Sequence, residues 1–151
     1  MNKANELAQE IAFGQENLGK IFDRIIYMAA QDVDPTMKIS ALTYECFGYY
    51  NAIEHLILRF TKYLHMATPS GAFSHKETLQ NFYRLIEEYE VEMGDHTRQT
   101  LLELMAFRHV ATKIYGFLID ENKLQLIISR ITTEHENIRL LILRILPVLT
   151  V

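Results

Sequence analysis

The sequence has little cysteine and no long apolar run. Cys46 is the single cysteine among 151 residues, which excludes a disulfide within the chain and indicates a reducing compartment. No basic residues followed by an apolar stretch mark a secretory signal at the N-terminus. No uninterrupted apolar run reaches the roughly 18 residues that a membrane span requires. We therefore expect a cytoplasmic protein with no membrane anchor.

Positive charge is also scarce. The chain carries 15 Lys and Arg residues against 19 Asp and Glu residues, which gives a formal net charge of -4. Proteins that bind nucleic acid through a general basic surface gain their affinity by neutralising phosphates. This balance argues against such a surface, so we expect no DNA partner, and any contact with RNA must be local.

Alternation of apolar and polar residues with a period of two, the mark of half-buried strands, is missing. Apolar residues recur instead at steps of three, four or seven, which is the spacing of one face of an amphipathic helix. The first such stripe predicts a helix over residues 5–31. The last stripe runs from Leu124 to Ile145, and polar residues in its middle leave a kink near residues 133–136 as an open alternative.

Capping residues and turns divide the chain into five predicted helices. The signals are Asp34–Pro35 before the second helix, the Ser74–Glu77 capping box before the third, Gly94–Asp95 before the fourth, Gly116 at its end, and Asp120 and Pro147 around the fifth. Short connections favour antiparallel neighbours. We predict one all-α domain over residues 1–151, an up-down antiparallel bundle of four main helices plus one additional helix.

No metal site follows from the sequence. A di-iron bundle needs histidine three residues after glutamate, and no histidine here has that spacing. We therefore expect no metal and no cofactor. His135, on the last apolar stripe, is interpreted as a hydrogen-bonded core histidine, and His75, inside the capping box, as an exposed residue.

The end of the fourth predicted helix holds a cluster of reactive side chains. Arg108 offers a bidentate fork for phosphate, Lys113 a point charge, and His109 a proton donor or acceptor near neutral pH. Arg108 and Tyr115 share nearly one helix face, whereas Lys113 lies about 140° from Arg108. The set could converge at the helix end or across a two-fold dimer. The alternative is that these cations only favour the negative end of the helix dipole and remain solvated.

Arg108, four residues, Lys113, one residue, Tyr115 resembles the motif of HEPN-domain ribonuclease toxins of the HepT-like kind, which has histidine where Lys113 stands. The resemblance extends over most of the chain, because several short segments follow one another in the order typical of these proteins. The segments are Tyr49–Glu54, Pro69–Gly71, Ser74–Leu79 and Phe107–Phe117.

This resemblance implies an α-helical homodimer with a composite cleft that cuts RNA, a tRNA or an mRNA, without metal. It also implies a cognate nucleotidyltransferase antitoxin that attaches AMP to the motif tyrosine. Carried over by position, Arg108 would hold the scissile phosphate and Tyr115 would be the candidate AMP acceptor. Glu54 is added as a weak cleft candidate, with a pair between Glu54 and His55 on the helix surface as the other interpretation.

Lys113 limits how much of the activity implied by the resemblance can be expected of this chain. Metal-free RNA cleavage needs a base for the 2′-hydroxyl proton and an acid for the leaving oxygen. Lysine gives charge but is a poor base, so cleavage should be weakened or lost, and His109 is the only local imidazole. One hypothesis is therefore an attenuated HepT-like ribonuclease toxin with Arg108, His109 and Lys113 as catalytic residues. The second is a non-catalytic HEPN-type module that binds a nucleotidyltransferase partner or a nucleotide, and the third is a helical bundle without a site.

Overall fold

A computed structural model describes residues 2–115 and 118–151, and in these ranges the chain forms α-helices and no strand. The helices are α1 (Lys3–Ala29), α2 (Pro35–Tyr63), α3 (Ser74–Glu88), α4 (Asp95–Ala111) and α5 (Glu121–Leu149). The predicted all-α fold with five helices is confirmed.

Helix α2 lies at the centre, in contact with each of the other four helices, while α5 also packs against α1 and α4. Its sequence suits this position because apolar residues cover most of its circumference, and Tyr49, Tyr50 and Phe60 are fully buried. The exposed remainder of α2 is a narrow strip that includes Tyr44, His55 and Arg59.

Polar side chains of α2 pair with one partner on each neighbouring helix. The pairs are Glu45 with Arg24 of α1 (2.8 Å), Tyr49 with His135 of α5 (2.8 Å), Asn51 with Arg108 of α4 (2.8 Å) and Glu54 with His75 of α3 (2.7 Å). All four pairs arise within ten residues of α2, so this stretch fixes how the other helices are placed around it.

Two predicted caps are confirmed and two are wrong. The Asp34 carboxylate accepts a hydrogen bond from the Met37 amide, and Asp120 accepts from the amides of residues 122 and 123. The capping box does not form, because Ser74 is already the first helical residue of α3 and Phe73 occupies the N-cap position. A residue with helical backbone cannot place its hydroxyl as an N-cap does. Asp95 likewise does not cap α4, because it is already the first helical residue and Gly94 occupies the N-cap position without a side-chain hydrogen bond.

Helix ends also differ from the predictions. Helix α1 ends two residues early, α3 ends at Glu88, and α4 ends at Ala111, while Gly116 lies outside the described residues. Helix α5 continues past Pro147 to Leu149, because the Thr150 amide and hydroxyl both donate to the Leu146 carbonyl and hold the last turn.

The polar middle of α5 does not break the helix. Glu134 is buried there, and its carboxylate accepts hydrogen bonds from the Thr97 hydroxyl (2.9 Å) and the Asn137 amide (2.7 Å). A buried carboxylate costs free energy unless such partners are present. Glu134 thus packs against α4, and the other polar residues of this stretch, apart from His135, are on the exposed side of an unbroken helix.

Gly14 lets α1 and α2 approach closely, since a Cβ atom there would lie 2.5 Å from Leu56 Cδ2. Gly14→Ala should lower the free energy of unfolding by about 1–3 kcal/mol, because the buried Leu56 side chain must move. Gly19→Ala is the matched control on the same helix, with nothing within 4 Å, and should raise stability by about 0.5–1 kcal/mol through helix propensity. Urea unfolding of both variants measures the difference, and equal effects would contradict the close approach.

His135 makes stability depend on pH. Its ring stacks on Phe22 at 3.9 Å between centroids, and burial lowers the pKa of His135 below 6.5, with Glu136 and Asp23 raising it and Arg139 lowering it. The folded chain then binds fewer protons than the unfolded chain, so stability is lost as pH falls from 6.5 towards the folded pKa. Urea midpoints should drop between pH 7.5 and 5.5.

His135→Gln should reduce this drop, whereas the matched variant at an exposed histidine, His96→Gln, should keep it. An unchanged drop in His135→Gln would show that another group titrates.

Candidate functional site

Arg108 is held against α2 near the C-terminus of α4. Its Nε donates to Asn51 Oδ1 at 2.8 Å, and its guanidinium carbon lies 5.1 Å from the centroid of the Phe47 ring. Phe47 and Asn51 are four residues apart and so occupy one face of α2. Among the described residues, no acceptor bonds to the two terminal nitrogens of Arg108. The guanidinium is therefore fixed in place while one edge stays available for an anion.

Two grooves are lined by residues that contact Arg108. One, of about 450 Å³, includes Tyr44, Phe47 and Thr112 in its lining and lies between α2 and the end of α4. The other, of about 440 Å³, lies between α1 and α2 and includes Asn51 and Phe13. Arg108 contacts Phe47 of the first groove and Asn51 of the second, while its own side chain lines neither groove.

The other motif residues follow or flank the end of α4. His109 is exposed in its last turn, and Lys113 is exposed in the turn beyond Ala111, where its amide donates to the Val110 carbonyl. Tyr115 is 73% exposed. Because the helix has ended, the angle expected between Arg108 and Lys113 on a straight helix does not apply. Convergence of these side chains across a dimer stays a prediction.

Glu54 is buried, with 8% of its surface exposed, and pairs with α3 rather than with its neighbour His55. Its Oε1 lies 2.7 Å from His75 Nδ1, and the His75 side chain is 39% exposed. The interpretation of His75 as a solvated residue of a capping box is therefore wrong. With Ser74 inside the helix, the first turn of α3 places the imidazole over α2.

Tyr50 connects the two polar pairs. Burial raises the pKa of the Tyr50 phenol, the Glu54 carboxylate raises it further, and the Arg108 guanidinium acts in the opposite direction. Arg108 and Glu54 thus both lie within electrostatic range of one buried phenol. Neither the Tyr50 hydroxyl nor Glu54 Oε2 has a hydrogen-bond partner in the described part of the chain.

A row of basic and imidazole side chains continues along α2 from Asn51. His55, Arg59 and Lys62 follow at steps of four, four and three, so all three lie on one exposed face about 16 Å long. The row lines the groove between α1 and α2 and two further grooves near its end. Four basic side chains (Lys3, Lys20, Arg59, Lys62) face two carboxylates (Glu6, Glu10) across these grooves, which makes this surface locally positive.

The described part of the chain offers little support for a metal site, a reactive cysteine or a membrane-spanning helix. In residues 2–115 and 118–151, no three His, Cys, Asp or Glu side chains are grouped so that they could hold a metal ion. Cys46 is buried, and burial raises the pKa of its thiol to about 12, so it is not a nucleophile near neutral pH. Of the described helices, none has the length and apolarity to cross a membrane.

Comparison with known families gives one match. A family model described as HepT-like protein matches residues 41–146, which is more than half of the chain. The chain belongs to the HepT-like family. The matched range begins inside α2 and ends inside α5, so it includes Asn51, Glu54, His75 and the segment from Arg108 to Tyr115. Neither the curated proteins nor the solved structures include a match.

Family membership and the helical fold make this protein a HEPN-type module. Asn51 and His75 were not among the candidate site residues. Asn51 lies inside the Tyr49–Glu54 segment that carries part of the resemblance, which was a signal for it. His75 lies in the same way inside the Ser74–Leu79 segment, but no local pattern indicated its pairing with Glu54, which joins residues 21 positions apart.

Proposed function

We propose that this HepT-like protein is the toxin of a toxin-antitoxin pair, a metal-independent endoribonuclease that acts as a homodimer. The observation that supports this most is Arg108, which Asn51 and Phe47 hold against α2 while neither terminal nitrogen bonds to a described acceptor. A guanidinium in this state can bind two oxygens of one phosphate.

In the proposed reaction, the ribose 2′-oxygen attacks the phosphorus and the bond to the 5′-oxygen breaks. The products are a 2′,3′-cyclic phosphate and a 5′-hydroxyl, and one proton moves in net from the 2′-oxygen to the 5′-oxygen. Arg108 stabilises the negative charge that grows on the phosphorane, and Lys113 adds a second cation. Lysine replaces the motif histidine, so the rate should be low for this family.

The proposed dimer would bury exposed apolar side chains around the groove at the end of α4. Tyr44 is 71% exposed on the α2 side of this groove, and Ile114 and Leu118 are exposed after α4. Covering these side chains with a second copy would remove apolar surface from water and bring two Arg108 side chains towards one cleft.

Tyr115 is the proposed acceptor of AMP from a cognate nucleotidyltransferase antitoxin. Its exposure gives the phenol oxygen access to the α-phosphorus of a nucleoside triphosphate, from which it would displace pyrophosphate. AMP would add a negative charge close to Arg108 in sequence and so oppose RNA binding there.

RNA would reach Arg108 along the basic row of α2, which meets the requirement that contact with RNA be local in an acidic chain. The ion pair between Arg59 and Glu10 is 3.7 Å long and exposed on both sides, so it holds Arg59 weakly. Three cations or imidazoles over about 10 Å suit the backbone of one single strand.

The second candidate function is a non-catalytic module that binds a nucleotidyltransferase partner or a nucleotide. Lys113 favours it, because this exposed side chain supplies no imidazole where the family motif has one. The same fixed Arg108 would then bind a phosphate without cleaving it.

Cleavage of a mixed RNA by purified protein in EDTA tests the first proposal. Arg108→Ala should lower the rate about 100- to 1,000-fold, because one group that stabilises the transition-state charge is lost. Arg130→Ala is the matched control, since Arg130 also donates through Nε to another helix, at 2.8 Å to Glu103, a residue that lines neither groove. Lys113→His should raise the rate.

Equal rates for the wild type and Arg108→Ala would contradict the ribonuclease proposal. Activity only in Lys113→His, or in no variant, combined with copurification of a nucleotidyltransferase partner, would favour the binding module.

Binding of a single-stranded RNA whose 2′-hydroxyls are O-methylated, so that it cannot be cut, tests the basic row. The double variant Arg59→Ala, Lys62→Ala should weaken binding and reduce the slope of log affinity against log salt by about 1.4, because two phosphate contacts are lost. Fluorescence anisotropy at several salt concentrations measures both. The control pair Arg84→Ala, Lys123→Ala removes the same charge from exposed positions elsewhere. Equal slopes for the two double variants would exclude the basic row as a binding surface for RNA.

A further inference from the structure

The pair of Glu54 and His75 has the arrangement of an oriented acid–base group. The Glu54 carboxylate is buried, and its Oε1 lies within hydrogen-bond distance of His75 Nδ1, at 2.7 Å. The imidazole itself is partly exposed. A carboxylate on one ring nitrogen favours the tautomer with its proton on Nδ1 and leaves Nε2 as the basic atom. No described residue bonds to Nε2.

Stability alone does not explain this pair. Removing a carboxylate from water costs free energy unless both oxygens find partners. Glu54 Oε2 is buried and makes no well-aligned hydrogen bond with a described residue, and the buried Tyr50 hydroxyl, whose pKa burial and the carboxylate both raise, makes none either. Buried polar groups that lack partners call for an explanation, and a functional site is one.

The pair lies beside Arg108. Glu54 follows Asn51 by three residues on α2, and side chains at this spacing are neighbours with Cβ atoms about 5–6 Å apart. Asn51 holds the Arg108 guanidinium and Glu54 holds the His75 imidazole. Adjacent positions of one buried helix thus present a phosphate-binding group and a base.

The course of α3 and α4 supports the same placement. Tyr83 and Glu87, late in α3, contact Arg98, early in α4, through a hydrogen bond of 3.1 Å and an ion pair of 3.7 Å. This contact joins the late part of α3 to the early part of α4, while the start of α3 with His75 and the end of α4 with Arg108 both contact one turn of α2, at Glu54 and Asn51. His75 also lies in the first turn of α3, where the helix dipole favours a bound anion.

We propose that His75 is the base of the cleavage at Arg108 and that Glu54 is its positioning residue; this inference rests on the proposed ribonuclease function. His75 Nε2 takes the proton of the 2′-hydroxyl as the 2′-oxygen bonds to phosphorus. The bond to the 5′-oxygen breaks, that oxygen takes a proton from water, and the imidazolium returns its proton to water. The protons balance, and no metal or redox partner is required.

This assignment supplies the imidazole that the motif lacks at Lys113. His109 is the other candidate near Arg108, but it is exposed and no described carboxylate contacts it. A base whose ring is held in one orientation loses less freedom in the transition state than a mobile one.

Single-turnover cleavage of RNA in EDTA, measured from pH 5 to 9, tests the inference. His75→Gln should lower the maximal rate about 100- to 10,000-fold and remove the acidic limb of the pH profile. His75→Ala should regain part of its activity when imidazole is added. Glu54→Gln should lower kcat with little change in KM, since it affects the orientation of the base and not the binding of RNA.

His96→Gln is the matched control, because it changes an exposed histidine in the first turn of α4, at the opposite end of that helix from Arg108. It should keep the wild-type rate and pH profile, and His109→Gln tests the rival base. Binding of an uncleavable 2′-O-methyl RNA should change less than about two-fold in His75→Gln, which separates chemistry from binding. Thermal midpoints report whether each variant is folded. If Glu54→Gln is destabilised, the recovery of His75→Ala activity on addition of imidazole decides whether His75 is the base.

The outcomes separate the two proposals. Cleavage that needs Arg108 but is unchanged in His75→Gln would overturn the role of His75 and leave the ribonuclease standing. Loss of activity in His109→Gln instead would assign the base to His109. A silent wild type would overturn both, because a working His75 gives activity without a histidine at position 113.

Discussion

The burial of α2 among four other helices is the constraint on which the rest of the structure depends. A helix in this position has little contact with water, so each polar side chain on it must be paired or must remain unsatisfied at a cost in free energy. Glu45, Tyr49, Asn51 and Glu54 meet this requirement by pairing with four different helices. The same pairs that satisfy α2 therefore bring functional side chains from distant parts of the chain together.

These four pairs differ in whether they leave a nitrogen atom of the partner side chain without a hydrogen bond. Arg24 with Glu45 and His135 with Tyr49 serve the packing of α1 and α5, and His135 is held between Phe22 and Tyr49. Asn51 and Glu54, in contrast, hold a guanidinium and an imidazole whose outer nitrogens bond to no described residue. A helix that is almost fully buried thus acts as a rigid support for groups that face a ligand.

Membership in the HepT-like family gives this chain a HEPN-type helical module, while Lys113 separates it from the motif that it otherwise resembles. The loss of one imidazole from a motif need not end its chemistry, because acid–base groups are defined by position and proton affinity and not by their place in the chain. The partly exposed His75, backed by a buried carboxylate, is such a group on another helix.

The sequence by itself determined the all-α class, the number of helices, the caps at Asp34 and Asp120, and the place of Arg108 near the end of α4. These follow from periodicity and short-range hydrogen bonds, which act between residues a few positions apart. Only the tertiary structure decided that Asn51 holds Arg108, 57 positions away, and that Glu54 pairs with His75 rather than with His55. Such pairs depend on which faces of α2 the other helices cover, and local sequence patterns do not predict this packing.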